Sequence, residues 1–331
     1  MRLHPAWRLL LWPLAFLYGL IGRGRAGLYR GGILKQKRLP GLVISVGNLS
    51  VGGTGKTPLV IWLAEHLSVQ GKRLGILSRG YKGEGASSDE VEMMRLRLGA
   101  GVPVAVGADR YANGVKLAGE GIACFLLDDG FQHQALARDV DIVVLDGTAP
   151  LAKAALLPAG RLREPLSALR RADIVVITRT KEAPEIEAEV KARTGAPIFY
   201  ACTKLLDFSQ YVAGKLEPVP SEAVREKVFA FCGLGNPAAF LGDLKGWGVT
   251  LAGRKVFRDH HRYTQADAKR LEADAVRAHA TALVCAEKDA MNLAGVQFRL
   301  PVYACRIELD VSAGMIATVL RIAEEGRKRT A

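Results

Sequence analysis

Ser45-Val-Gly-Asn-Leu-Ser-Val-Gly-Gly-Thr-Gly-Lys56-Thr57 lies between the apolar run Leu42-Val43-Ile44 and an apolar-periodic segment. Strand, glycine-rich loop and helix in that order build a phosphate cradle. Glycines let the backbone N–H groups approach closely, and the helix N-terminus is partly positive. Lys56 at the loop's end would reach the β/γ-phosphates, and the Thr57 hydroxyl would hold Mg²⁺. Gly52, Gly53, Thr54 and Gly55 would supply the wrapping backbone. The usual pattern opens with glycine where Ser50 stands, although Gly47 and the later glycines keep the loop glycine-rich. The chain is expected to bind a nucleoside triphosphate.

A second signal is Phe125-Leu-Leu-Asp128-Asp129-Gly130-Phe131-Gln132-His133. An apolar strand ending in two carboxylates supplies what a nucleotide-cleaving site needs opposite its loop, one acid facing Mg²⁺ directly or through water. Adjacent acids raise each other's pKa unless a cation compensates. Which of Asp128 and Asp129 faces the metal stays open. Arg258-Asp259-His260-His261-Arg262-Tyr263-Thr264 sets two histidines beside an acid; the segment either carries proton chemistry or is a turn that Thr264 caps. Ser88-Asp89-Glu90 and Asp109-Arg110 read first as helix starts. Arg163 and Glu164 follow the loop Leu157-Pro-Ala-Gly160, and arginines there could contact phosphate.

Apolar runs at Leu42–Val46, Arg73–Ser78, Val102–Val106, Ile122–Leu127, Ile142–Leu145 and Ile174–Thr178 alternate with helical segments. That alternation predicts an α/β fold, a parallel sheet with helices on both faces. Beyond Pro197, Ile198–Cys202 and a segment near Gln210–Leu216 read as short bridging strands. They lead into a smaller α/β unit with strands at Val228–Cys232, Leu251–Phe257, Leu283–Ala286 and Val302–Ile307. Helices are expected near Pro237–Lys245, Gln265–Ala278 and Ala313–Lys328. The expected division is 1–38 as a helix and basic segment, 39–205 as the P-loop domain, and 206–331 as the smaller domain. A cleft between two such domains commonly holds a two-substrate site.

Leu9–Ile21 is a run of thirteen residues without a charge, flanked by Arg8, Arg23, Arg25 and Arg30. It is short of the roughly 20 residues a spanning helix needs. Trp7, Trp12 and Tyr18 suit a headgroup boundary, and the arginines suit anionic lipid, so an interfacial anchor is expected rather than a core helix. With 331 residues and 49% apolar composition, the chain can bury a large core and is not a disordered one. A net charge of +13 points to an anionic partner. The five cysteines form no C-x-x-C pair and read as reduced and buried, which excludes a disulfide framework and a zinc ribbon.

In order and in type, these motifs resemble the tetraacyldisaccharide 4′-kinases of lipid A biosynthesis. The resemblance rests on Gly47-Asn48-Leu49-Ser50-Val51-Gly52-Gly53-Thr54-Gly55-Lys56-Thr57-Pro58, Ser78-Arg79-Gly80-Tyr81 and Asp128-Asp129-Gly130-Phe131-Gln132-His133. It continues through Leu157-Pro158-Ala159-Gly160, Arg163-Glu164-Pro165 and Asp259-His260-His261-Arg262-Tyr263. Ser50 is itself part of the family pattern. The family's Gly-Asp-Glu-Pro is here Ser88-Asp89-Glu90-Val91, which keeps only the two acids, and the loop from Tyr81 to Ser88 is short. The resemblance implies transfer of the ATP γ-phosphate, with Mg²⁺, to the 4′-hydroxyl of tetraacyldisaccharide 1-phosphate at the cytoplasmic face of the bacterial inner membrane. It implies Asp89 as the acceptor's base, coupled to a histidine of the Asp-His-His segment, His260 ahead of His261, with Lys56 and Asp129 also catalytic. The site would close when the second domain brings His260 to the P-loop domain. Arg110, Arg163, Glu164, Gln132, His133 and His261 are weaker candidates for holding the lipid. A peripheral or monotopic monomer is expected.

Two other classes share a P-loop. A GTP-dependent switch or metallochaperone would need a guanine-reading Asn/Thr-Lys-x-Asp; Thr180-Lys181-Glu182-Ala183 fails at its last position. A nucleic-acid-binding ATPase would suit the charge, yet no basic helix with interleaved aromatics occurs in the core, so no nucleic-acid partner is expected.

Overall fold

A computed structural model describes residues 5–80, 89–151, 154–224 and 227–328. Tyr81 and Ser88, which helped carry the resemblance, lie outside the described residues, as does the side chain of Trp7. The elements are α1 (Pro5–Arg30), β1 (Leu42–Asn48), α2 (Lys56–Val69), β2 (Leu74–Ser78), α3 (Asp89–Leu98), β3 (Val104–Val106), α4 (Arg110–Gly119), β4 (Cys124–Asp128) and β5 (Val140–Asp146). They continue with β6 (Ile174–Thr178), α5 (Pro184–Lys191), β7 (Ile198–Val212), β8 (Lys215–Val219), β9 (Val228–Cys232), α6 (Pro237–Gly246) and β10 (Leu251–Val256). The last are α7 (Gln265–Arg277), β11 (Ala282–Ala286), α8 (Glu287–Ala290), β12 (Val302–Val311) and α9 (Met315–Lys328).

Two compact units emerge. Described residues of the first fall within Met1–Ser87, Arg97–Cys202 and Val311–Ala331, and those of the second within Ser88–Leu96 and Thr203–Asp310. The first is a parallel sheet in the order β3-β2-β4-β1-β5-β6-β7. Its inner strands β2, β4, β1, β5 and β6 are predominantly apolar and almost wholly buried because both faces are covered. Val43, Phe125 and Leu127 meet Leu117 of α4, and Val143, Leu145, Val175 and Ile177 meet Ile186 and Val190 of α5. The alternate side chains face the other way, where α2 lies on β1 and β4, and α9 lies on β5 and α2.

In the second unit β10, β9, β11 and β12 run parallel in that order. Alternation along β9 again divides two layers. Phe229 and Phe231 join Ala268, Leu271 and Ala275 of α7, while Ala230 and Cys232 join Phe240, Leu241 and Leu244 of α6. β7 and β8 form an antiparallel hairpin whose turn residues Ala213 and Gly214 have φ 47° and 87°, the two positive values of a type I′ turn.

Three expectations are altered. The bridging strands are one fifteen-residue strand, β7, whose Ile198–Cys202 portion belongs to the first unit. The helix at the C-terminus, assigned by sequence to the smaller domain, packs in the first unit because its apolar face fits α2 and β5. The start of α3, which falls in the 39–205 segment, belongs to the second unit.

α1 extends over 26 residues, beyond the apolar run. Ala15, Gly19 and Ala26 are buried on one stripe, and a Cβ at Gly19 would lie 2.6 Å from Leu156 Cδ1. Trp12, Phe16 and Ile21 are 59%, 63% and 64% exposed. Among the described residues no helix is long and apolar enough to cross a membrane.

Candidate active site

Functional side chains gather in each unit separately. In the first, parallel register sets Val46 of β1 level with Asp128 of β4, so the glycine loop leaves the sheet beside the paired acids. Gly52 and Gly55 take φ 110° and 86°, and Gly55 precedes the first residue of α2, Lys56. Donors outside the loop fix its carbonyls. Arg161 Nη2 donates to Val51 O at 2.9 Å, Arg179 Nη2 to Gly53 O at 2.7 Å, and Thr178 Oγ1 to Thr54 O at 2.9 Å. Asn48 Nδ2 donates to Thr54 Oγ1 at 2.8 Å. A loop so tied is shaped before any anion arrives.

At Gly47 the β1 backbone passes against the Asp-Asp-Gly-Phe turn, and a Cβ there would lie 2.5 Å from Phe131 Cβ and 2.6 Å from Phe131 N. Neither atom can swing aside. Gly47→Ala is expected to destabilise the protein by about 1–3 kcal/mol, the usual cost of overpacking, read as a lower calorimetric melting temperature. An unchanged melting temperature would contradict this packing.

Asp129 occupies left-handed backbone at φ 51°, a conformation that costs energy in a non-glycine residue. Arg163 grips both its oxygens at 2.7 Å and also reaches Asn48 Oδ1, while Lys56 Nζ stands 3.7 Å from Asp129 Oδ1. Burial pushes the Asp129 pKa up, but the Arg163 hydrogen bonds and the Lys56 charge bring it down to about 2. Asp128 is buried, and its Oδ2 accepts from Ser78 Oγ at 3.2 Å.

Several acceptor candidates have partners within the fold. Arg110 is 3% exposed and donates to the backbone oxygens of Asp128 and Asp129 at 2.6 and 3.2 Å. Those two bonds position the backbone of the paired acids. Glu164 is buried between Arg171, at 2.8 and 3.1 Å, and Gln132 Nε2, at 3.1 Å. Gln132 also donates to Asn48 O at 2.9 Å, tying Glu164 to the base of the loop. His133 is half-buried, and desolvation, then Arg110 and Arg138, lower its pKa to about 4, which leaves it neutral near pH 7.

The second unit brings Asp89 and His260 together. His260 Nδ1 lies 3.1 and 3.0 Å from the two Asp89 oxygens, and Asn292 Nδ2 donates to Asp89 Oδ2 at 3.2 Å. Asp89 is the first residue of α3, where the helix dipole favours a carboxylate. Burial raises its pKa, but the His260 hydrogen bond and the Lys288 charge bring it down to about 2. His260 has φ 57° and donates its backbone N–H to Gly233 O at 3.1 Å. Gly233 N and Tyr263 Oη in turn donate to buried Asp289 Oδ1 at 2.7 and 2.8 Å, which anchors the histidine turn from below. His261 turns away. It stacks on Phe257 at 4.5 Å and meets Asp267 Oδ2 through Nε2 at 3.1 Å, and Thr264 and Asp267 form the capping box of α7. The capping reading of that segment holds at Thr264, while His260 faces the Asp89 carboxylate.

Sequence reasoning missed Arg171, Lys288, Asp289 and Asn292. The run Glu287-Lys288-Asp289, directly after the apolar strand β11, carried a signal: charges crowded at a strand's end, the place where sites form.

The fold and the first cluster define a P-loop nucleotide-binding α/β protein of the phosphoryl-transfer class. A family model described as Tetraacyldisaccharide-1-P 4′-kinase matches residues 7–324. The chain is 40% identical over 329 residues to the tetraacyldisaccharide 4′-kinase of Geobacter metallireducens, covering 92% of this chain and 95% of that one. It is 34% identical over 336 residues to that of Desulfotalea psychrophila, covering 94% and 95%. The crystal structure of LpxK from Aquifex aeolicus in complex with ATP superposes with a TM-score of 0.73 at 33% identity, covering 95% of this chain and 99% of that one. The chain belongs to the tetraacyldisaccharide 4′-kinase family. A GTP-dependent switch or metallochaperone is not favoured by these matches.

Proposed function

We propose that the chain transfers the γ-phosphate of ATP to the 4′-hydroxyl of tetraacyldisaccharide 1-phosphate, the step that forms the bis-phosphorylated lipid A precursor. The observation that carries the reading is the tied P-loop beside Asp128 and Asp129 in a member of this family. Mg²⁺ fits the donors present. It takes hard oxygens, keeps waters and is shared with phosphates, and the buried Thr57 hydroxyl and the Asp128 carboxylate suit that role. Asp129, with both oxygens on Arg163, is better placed to hold cations at the loop than to ligate metal.

When bound, the ion neutralises charge on the β- and γ-phosphates. Lys56 adds a second positive charge there. Asp89 accepts the 4′-hydroxyl proton as that oxygen bonds to the γ-phosphorus and the bond to the β-bridging oxygen breaks, releasing ADP. His260, not His261, holds Asp89 in place. The test is ATP-dependent phosphorylation of the tetraacyl disaccharide 1-phosphate in detergent micelles. Hydrolysis of ATP without a phosphorylated lipid would redirect the search to another acceptor.

For location, we infer peripheral attachment of a monomer to the cytoplasmic face of the inner membrane; the exposed Trp12, Phe16 and Ile21 of α1, with the arginines around them, support the membrane contact itself. Deleting residues 1–24 is expected to abolish co-sedimentation with vesicles containing phosphatidylglycerol. A truncated protein that still sediments would place the lipid contact elsewhere.

A further inference from the structure

Lys288, on the short helix α8, reaches the far side of the His260 ring. Its Nζ lies 3.4 Å from His260 Nε2, 3.5 Å from Glu90 Oε1, 3.7 Å from Asp259 Oδ1 and 3.9 Å from Asp89 Oδ2. The side chain is only 18% exposed. An ammonium has three donors and no lone pair, so toward Nε2 it can only donate. A hydrogen bond there makes Nε2 the unprotonated nitrogen and puts the ring's proton on Nδ1, which faces the Asp89 oxygens at 3.1 and 3.0 Å. The competing tautomer would aim a lone pair at the Asp89 carboxylate and its N–H toward Asp259 Oδ1, 3.9 Å from Nε2. Lys288 opposes that tautomer twice, by occupying the Nε2 lone pair and by pairing with Asp259.

We propose that Lys288 is a positioning residue that holds His260 neutral in its Nδ1–H tautomer, so that the ring donates to Asp89 and leaves the carboxylate charged to take the acceptor's proton. The inference rests on reading Asp89 as the acceptor's base. Among the described residues, the charged groups facing His260 include Asp89 from α3, Asp259 beside it in the turn and Lys288 from α8; Glu90, also on α3, reaches the cluster through Lys288. Three carboxylates so placed would favour an imidazolium. The hydrogen bond with Asp89 does raise the His260 pKa, while burial and the Lys288 charge oppose the rise. The same charge helps to lower the Asp89 pKa. Both effects drive protons off the pair.

The sign of the pH effect follows. Without Lys288 the imidazolium persists to higher pH, and turnover that needs neutral His260 returns only there. Lys288→Met is expected to move the acid limb of the kcat profile up by about one pH unit, which is roughly a tenfold loss on that limb. The loss should fade at alkaline pH, with the KM for ATP within about twofold of wild type. Lys288→Arg keeps the charge and should leave the limb in place. A uniform fall across pH, or no change, would overturn the proposal.

A second readout needs neither turnover nor a variant at Lys288. Long-range proton–nitrogen spectra of the full-length protein labelled with ¹⁵N-histidine, with His260 assigned by loss of its signals in His260→Gln, report the tautomer directly. At mildly alkaline pH a protonated Nδ1 with an accepting Nε2 is expected, and a protonated Nε2 would refute the assignment. If Asp89→Ala retained turnover, the base reading would fall, while the spectra would still decide the role of Lys288.

Discussion

Replacing Asp89 with alanine is expected to lower kcat by roughly 10²–10⁴, the share of a positioned base, and to leave the KM for ATP within a few-fold. The carboxylate is tied by His260 and Asn292 at 3.0–3.2 Å, so it is oriented before substrate arrives. Its low pKa, about 2, means that it is already charged at any working pH. A carboxylate so acidic is a weak base in the ground state. Its contribution therefore comes from position and from the charge it shares with the imidazole, in a cluster water reaches only partly. Asp89→Asn keeps shape and most hydrogen bonds but removes the charge, so it should fall nearly as far as alanine. Removing the charge also leaves Lys288 facing Glu90 and Asp259 alone, which the melting temperature of each variant would monitor. Should Asp89→Ala keep kcat and raise the KM for ATP, Asp89 would belong to nucleotide binding and the acceptor's base would lie elsewhere.

How much of this could be read before the structure depended on how local each feature is. The P-loop was legible because strand, turn and helix are consecutive, and the chemistry of Gly52, Gly55, Lys56 and Thr57 is set within a few residues of each other. Strands β5, β6 and β9 were legible because burial on both faces gives each a continuous apolar stretch, Ile142 to Leu145 in β5. The place of α9 was not legible: its amphipathic pattern demands an apolar partner but cannot name one, and the partner lies far back in sequence. β7 read as two strands because its middle, Thr203 to Asp207, is partly exposed and carries Thr203, Lys204 and Asp207, which interrupt the apolar run. His260 and His261 are adjacent and chemically alike, and only the left-handed turn at His260 decides which one meets Asp89. Arg110 could not be separated from Arg163 by sequence. Each is an arginine near an acid motif, and it is burial that gives one to backbone oxygens and the other to Asp129.

Lys56→Ala is expected to lower kcat by at least roughly 10²–10³, the loss that follows removal of one preorganised group stabilising developing charge. In phosphoryl transfer most of the catalytic effect is positioning and neutralisation, and Lys56 is the charge carried by the loop itself. Folding should be little affected. Asp129 keeps both Arg163 bonds at 2.7 Å when the Lys56 ammonium, at 3.7 Å, is gone, and the loop carbonyls stay on Arg161, Arg179 and Thr178. A normal melting temperature with lost turnover would therefore separate chemistry from scaffold. Lys56→Arg should not restore the rate, because a planar fork rooted at the first residue of α2 cannot stand in for a compact ammonium. Arg163 offers no substitute either, since both of its Nη atoms already serve Asp129 and Asn48. If Lys56→Ala turned over ATP and lipid at the wild-type rate, the tied glycine loop could not be the phosphate cradle, and the nucleotide reading of the first unit would have to be abandoned.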